Sequence, residues 1–160
     1  MDSQPPSLSS LKNYDTDRDS LSGIVIKKGG AGAGETDPDS YQAWRTPVLS
    51  EAYTLPNTMT ATLWTAMKNF NPNKQGSMTL YLRDFNGGSY TTIAAIEVPK
   101  ADWPGSSANW IEISANLTTA SYTLAPGHLL EFKIIVNSQS DDSLWFAYDT
   151  TNYPSLLDLQ

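Results

Sequence analysis

The chain has 160 residues, 39% of them hydrophobic and 17% charged, which is enough apolar material for one domain with a buried core. A formal net charge of −7 with no Lys/Arg stripe argues against nucleic acid and anionic membrane as partners, because such a surface repels phosphate. There is no cysteine, which excludes disulfides, zinc–thiolate sites and iron–sulfur clusters, and no apolar run approaches the roughly 20 residues of a membrane span.

Residues 1–13 are polar and contain Pro5-Pro6, and they read as a flexible tail or linker. Residues 14–160 read as a single β-sandwich domain. The N-terminus shows neither a basic n-region nor an apolar h-region, so the chain as written carries no signal peptide and reads as a domain cut from a longer precursor, with Met1 added. An acidic motif, Asp15-Thr16-Asp17-Arg18-Asp19, precedes a first strand over 23–27. A Gly/Ala segment over 29–34 and an acidic turn over 35–39 lead to a strand over 41–48.

From there the pattern is strand, turn, strand. Residues 59–67 alternate with Met59, Leu63 and Met67 on one face, and residues 78–83 alternate with Met78, Leu80 and Leu82 inward. Asn86-Gly87-Gly88 predicts a hairpin turn, because Asn-Gly accepts the positive φ that tight turns require, and residues 90–98 are the partner strand. A loop over 99–107 carries Asp102-Trp103-Pro104-Gly105. Residues 110–114 place Ile111 and Ile113 inward, and residues 122–124 lead to the Pro126-Gly127 turn. Leu130, Phe132, Ile134 and Val136 mark one face of the next strand and Glu131 and Lys133 the other. Strands over 144–148 and 155–159 close the chain. About eight to ten short strands, with turns roughly every 8–12 residues and no sustained 3.6-residue period, predict an all-β fold. The form expected is a two-sheet antiparallel β-sandwich of the jelly-roll type.

The strand Tyr81-Leu82-Arg83-Asp84 before Asn86-Gly87-Gly88, and the later run Tyr122-Thr123-Leu124-Ala125-Pro126-Gly127-His128-Leu129-Leu130-Glu131-Phe132, resemble the C-terminal jelly-roll domain of X-prolyl dipeptidyl peptidases and related esterases. The resemblance covers about residues 55–160 and implies a galactose-binding-like sandwich. In that family the catalytic groups lie on a separate hydrolase domain, so no catalytic residue carries over. The stretch from Trp145 to Ser155 and the start from Tyr14 to Asp19 resemble modules of exported bacterial and archaeal surface proteins.

Candidate chemistry is sparse. Asp15, Asp17 and Asp19 have a spacing that aims three carboxylates at one hard cation, and Ca²⁺ is the expected metal, in a structural role. The calcium-loop pattern is incomplete, since Ser20 stands where its glycine would be and Ile26 where its bidentate glutamate would be; a solvated acidic turn is the competing reading. Trp103, flanked by Asp102 and near Asn109 in a loop, is the expected sugar-stacking site, because an aromatic face binds a sugar ring while polar neighbours take its hydroxyls. Trp64, Trp110 and Trp145 lie in strands and read as core or sheet-face residues. His128, the only histidine, reads as a turn residue, since no Gly-x-Ser-x-Gly elbow accompanies it. Glu112 and Glu131 read as solvated sheet-face acids.

The function expected is a non-catalytic module of an exported or cell-surface protein, acting in adhesion or surface assembly. Its open sheet edges would pair with a neighbouring surface protein or with another copy of itself. The second expectation is a carbohydrate-binding accessory domain stabilised by calcium. The third is a jelly-roll glycoside hydrolase or lyase.

Overall fold

The computed structural model describes residues 11–13, 22–29, 41–68, 73–103, 110–148 and 152–159. Twelve strands run through them: β1 (Leu11–Asn13), β2 (Ser22–Ile26), β3 (Tyr41–Arg45), β4 (Tyr53–Thr54), β5 (Thr58–Met67), β6 (Met78–Phe85), β7 (Tyr90–Val98), β8 (Ile111–Thr118), β9 (Thr123–Leu124), β10 (Leu129–Val136), β11 (Leu144–Tyr148) and β12 (Leu156–Asp158). The only helical element among the described residues is a single 3₁₀ turn over Lys100–Asp102. The fold is an all-β sandwich.

The first sheet has the order β1-β3-β10-β6-β7. In the second, β5 is the hub. One of its edges pairs with β8 along eight residues, from Thr58 opposite Thr118 to Thr65 opposite Ile111. Its other edge is divided between β12, opposite Thr60, Ala61 and Thr62, and β11, opposite Trp64 to Met67. β2 lies outside β11. β4 and β9 form a small separate ladder. Every pairing is antiparallel except β1 with β3.

Side chains of alternate residues meet between the sheets because successive strand residues point to opposite faces. From the first sheet come Met78, Leu80 and Leu82 of β6 and Leu130, Phe132, Ile134 and Val136 of β10. The second supplies Met59, Ala61, Leu63 and Met67 of β5, Ile113, Ala115 and Leu117 of β8, and Leu144 and Phe146 of β11. Burying each large member of this set contributes about 1.5–3 kcal/mol. The inward faces expected for 59–67 and 78–83 are thus buried; Ile113 is buried with Ile111 half-buried beside it, and the inward face of 130–136 is buried together with the opposite face of that strand. The β6–β7 hairpin turns where the Asn-Gly pair predicts it. Gly87 has φ +94°, and the Asn86 Oδ1 accepts the amides of Gly88 and Ser89 at 3.0 and 2.9 Å.

Two expectations need correction here. Residues 11–13, assigned by composition to the tail, pair in parallel with β3, with Leu11 opposite Ala43, so sheet pairing begins before residue 14. A three-residue strand is too short to show any alternation. Glu131 does lie on the outer face of the first sheet, but it is not solvated: it is fully buried. β10 is the middle strand of five, and Glu131 sits in register between Arg45 of β3 and Arg83 of β6. Both guanidinium groups close on the carboxylate, Arg45 Nε to one oxygen and Arg83 Nε to the other, each at 2.9 Å, with Arg83 Nη2 adding a further hydrogen bond. The Tyr90 ring covers Arg83 at 4.2 Å and Arg45 at 5.4 Å.

Trp103, which follows the 3₁₀ turn, plugs the core beside Gly76. A Cβ added at Gly76 would stand 2.5 Å from the six-membered ring of Trp103, so only glycine fits there. Overpacking of this kind costs typically 1–3 kcal/mol. Gly76→Ala is expected to lower unfolding stability by about 2 kcal/mol in urea titrations. An unchanged midpoint would show that Trp103 does not occupy this slot.

Candidate functional site

The same alternation that buries Leu63 and Met67 sends Thr60, Thr62 and Trp64 to the outer face of the second sheet. Register then assembles rows across three strands. Asn116, Thr60 and Asp158 form one row, Ser114, Thr62 and Leu156 the next, and Glu112, Trp64 and Ala147 the third. Trp110, one residue before β8, and Trp145, opposite Ala66, continue the pattern beyond Trp64.

The far end of this face is aromatic. Tyr153, from the segment before β12, bridges two tryptophans, with its ring centroid 5.3 Å from Trp64 and 5.4 Å from Trp110. All three rings are half-buried, and so is Trp145, whose indole Nε1 donates to the Lys68 carbonyl at 3.1 Å. The Ser155 hydroxyl accepts the Trp64 amide at 2.9 Å and so ties the returning chain to β5. The near end is a ladder of short polar side chains. Glu112, Ser114, Asn116 and Thr118 are all exposed, and Thr60 Oγ1 donates to Asn116 Oδ1 at 3.0 Å. The charged members of the rows are Glu112 and Asp158, both acidic.

Such a face can stack a flat, apolar ring face at the tryptophan end and exchange hydrogen bonds with hydroxyls along the ladder. It is badly arranged for glycoside hydrolysis. Glu112 and Asp158 stand four residues apart along the strands and two strands apart across them, which puts their backbones roughly 16 Å apart from standard sheet spacings. Paired glycosidase carboxyls stand about 5–9.5 Å apart.

The sequence-predicted site residues divide differently. Trp103 is 4% exposed and belongs to the core, so it presents no ring face to solvent. Asp102 is exposed in the 3₁₀ turn beside it. Asn109, and the proposed calcium ligands Asp15, Asp17 and Asp19, lie outside the described residues. The indoles that do line an outer face are Trp64 and Trp145, both in strands, and Trp110, one residue before β8. Each neighbours an inward aliphatic or aromatic residue (Leu63, Ile111, and Leu144 with Phe146), so the parity that turns them outward is written in the chain.

A second polar group lies at the rim of the first sheet. Asp84 falls on the inward side of β6, opposite Leu130, and is 5% exposed. Its carboxylate accepts the Tyr122 hydroxyl at 2.8 Å and meets His128 Nδ1 at 2.8 and 3.0 Å. Burial raises the Tyr122 phenol above its ordinary value, and its hydrogen bond to Asp84 and the Asp84 charge raise it further. Among the described residues the imidazole meets no hydroxyl nucleophile. The group braces three segments: the end of β6, the turn before β10 and the approach to β9. His128 is therefore more than a turn residue, a role that no local pattern around Pro126-Gly127 announces.

No protein-family model matches the chain, and no curated protein matches it in sequence. Solved structures match the fold. An aminopeptidase from a marine sediment archaeon, a Thaumarchaeota archaeon, aligns over 92% of this chain with a TM-score of 0.72 and 10% identity. A CocE/NonD family hydrolase from Staphylococcus aureus aligns over 97% of it, with a TM-score of 0.65 and 11% identity. An α-amino acid ester hydrolase aligns over 84%, with a TM-score of 0.63 and 13% identity. This chain spans 34%, 35% and 27% of those three proteins respectively. It shares the fold of about a third of each hydrolase.

Proposed function

We propose that the chain is a non-catalytic binding module of an exported or cell-surface protein, a galactose-binding-like sandwich whose second sheet contacts neutral carbohydrate. The observation that carries this reading is the outer face of β8, β5 and β12, where Trp64, Trp110 and Tyr153 cluster beside a ladder of Ser, Thr and Asn side chains. Neutral sugar is favoured over acidic sugar because Glu112 and Asp158 flank the ladder in a chain of net charge −7. The fold match to a portion of several hydrolases supports a modular, accessory role. Adhesion is the task such a contact serves.

Losing one stacked aromatic costs about 1–1.5 kcal/mol, close to a factor of ten. Trp64→Ala is expected to weaken binding to neutral oligosaccharides about tenfold by calorimetry, while Asp102→Ala leaves it unchanged. Absence of binding across a neutral glycan array refutes the reading. Turnover of any glycan that disappears in Glu112→Gln would establish a hydrolase or lyase in its place.

Calcium held by Asp15, Asp17 and Asp19 is a separate part of the proposal, resting on the spacing of those residues. Calcium is expected to raise the melting temperature of the chain and chelation to reverse the rise. A melting curve indifferent to both, or a rise that persists in Asp17→Asn, eliminates it.

A further inference from the structure

Edge strands present unpaired backbone groups, and proteins blunt them with Lys, Pro, bulges or covering loops. β8 is the terminal strand of the second sheet: among the described residues it pairs with β5 and with nothing on its other side. It runs eight residues, Ile-Glu-Ile-Ser-Ala-Asn-Leu-Thr, with no register shift against β5. It contains no Pro and no Lys, and Glu112 is its single charge. β7, the terminal strand of the first sheet, contacts β8 on the same side of the sandwich. Its nine residues hold one charge, Glu97, but its pairing with β6 shifts register between Leu82 and Arg83. A bulge of that kind bends and twists an edge, so β8 is the flatter of the two.

We infer that the β8 edge pairs with β8 of a second copy of this chain, antiparallel about a two-fold axis at Ala115. The occupant follows from register. Centred on Ala115, the pairing sets Ile113 opposite Leu117 on the inward face, and Ser114 opposite Asn116 and Glu112 opposite Thr118 on the outer face. Inward residues meet inward residues and polar meet polar, so both faces stay continuous. The one charge meets a threonine and not its own copy, and two alanines face each other at the axis, where backbones must approach. The same axis brings β7 alongside its copy. Joining two copies this way fuses their outer faces into one sheet, placing the aromatic clusters at opposite ends of a doubled polar ladder. Two copies of charge −7 repel at long range, so association strengthens as ionic strength rises.

The test is the mass of the full chain, by sedimentation up to millimolar concentration, which reads out independently of any glycan. Wild type is expected to show a monomer–dimer equilibrium that tightens with salt. Ser114→Lys combined with Asn116→Lys sets like charges opposite each other twice, and is expected to weaken the dimer about tenfold or more. Ser114→Lys combined with Asn116→Glu sets opposite charges there and is expected to restore or strengthen it. Both positions are exposed, so circular dichroism should show the monomer fold intact in each variant. A wild type monomeric at every concentration, or two double variants with the same dissociation constant, would overturn the inference.

Discussion

The structure depends on the two-residue alternation along β5. This strand carries β8 on one edge and both β11 and β12 on the other, so its facing decides the facing of the whole second sheet. Its odd-numbered residues, Met59, Ala61, Leu63, Thr65 and Met67, are all buried, and its even-numbered Thr60, Thr62 and Trp64 are turned outward. A slip of one residue would exchange the two sets, moving an indole into the core and a leucine into water. Even the one polar member of the inward set is accommodated: Thr65 Oγ1 donates to the Trp145 carbonyl at 2.7 Å. Core formation and the outer aromatic cluster are therefore two consequences of one pattern.

Polar interactions add geometry to that apolar frame. Glu131 with Arg45 and Arg83 ties three strands of the first sheet in a single row. A buried ion group of this kind is weak as a source of net stability, but breaking it by removing one partner costs about 3–5 kcal/mol, so it defends one register against its neighbours. Asp84 with His128 and Tyr122 does the same at the rim, joining segments far apart in sequence. On the opposite side of the molecule, Lys100 and Gln75 converge on Asp141, and their hydrogen bonds hold its carboxyl below the ordinary range. These groups tie together strands of the first sheet and the segments that connect them.

The strands and their buried faces were legible because alternation is a local signal. Residues 90–98 and 144–148 match β7 and β11 at both ends, and the apolar sets of β6 and β10 are the ones found in the core. Lost to a sequence reading were features set by distant partners. Glu131 looks solvated along its own strand, and only the two flanking strands bury it. Trp103 looks like a loop aromatic, and only the glycine at position 76 makes room for it inside. The outward parity of Trp64 is visible in the chain and fits a sheet-face residue, but parity alone does not bring Trp64, Trp110 and Tyr153 together. The brace around Asp84 joins positions 84, 122 and 128 with no periodicity to connect them.

Alternation along β5 turns Trp64 outward beside Trp110 and Tyr153, on the face proposed to meet a sugar, while the space beside Gly76 holds Trp103 inside. Fluorine NMR of the 5-fluorotryptophan-labelled chain, with each resonance assigned by substitution, tests this placement directly. A soluble paramagnetic agent should broaden Trp64, Trp110 and Trp145, a neutral oligosaccharide should shift Trp64 and Trp110, and Trp103 should respond to neither. Broadening of Trp103 with Trp64 silent would contradict the account.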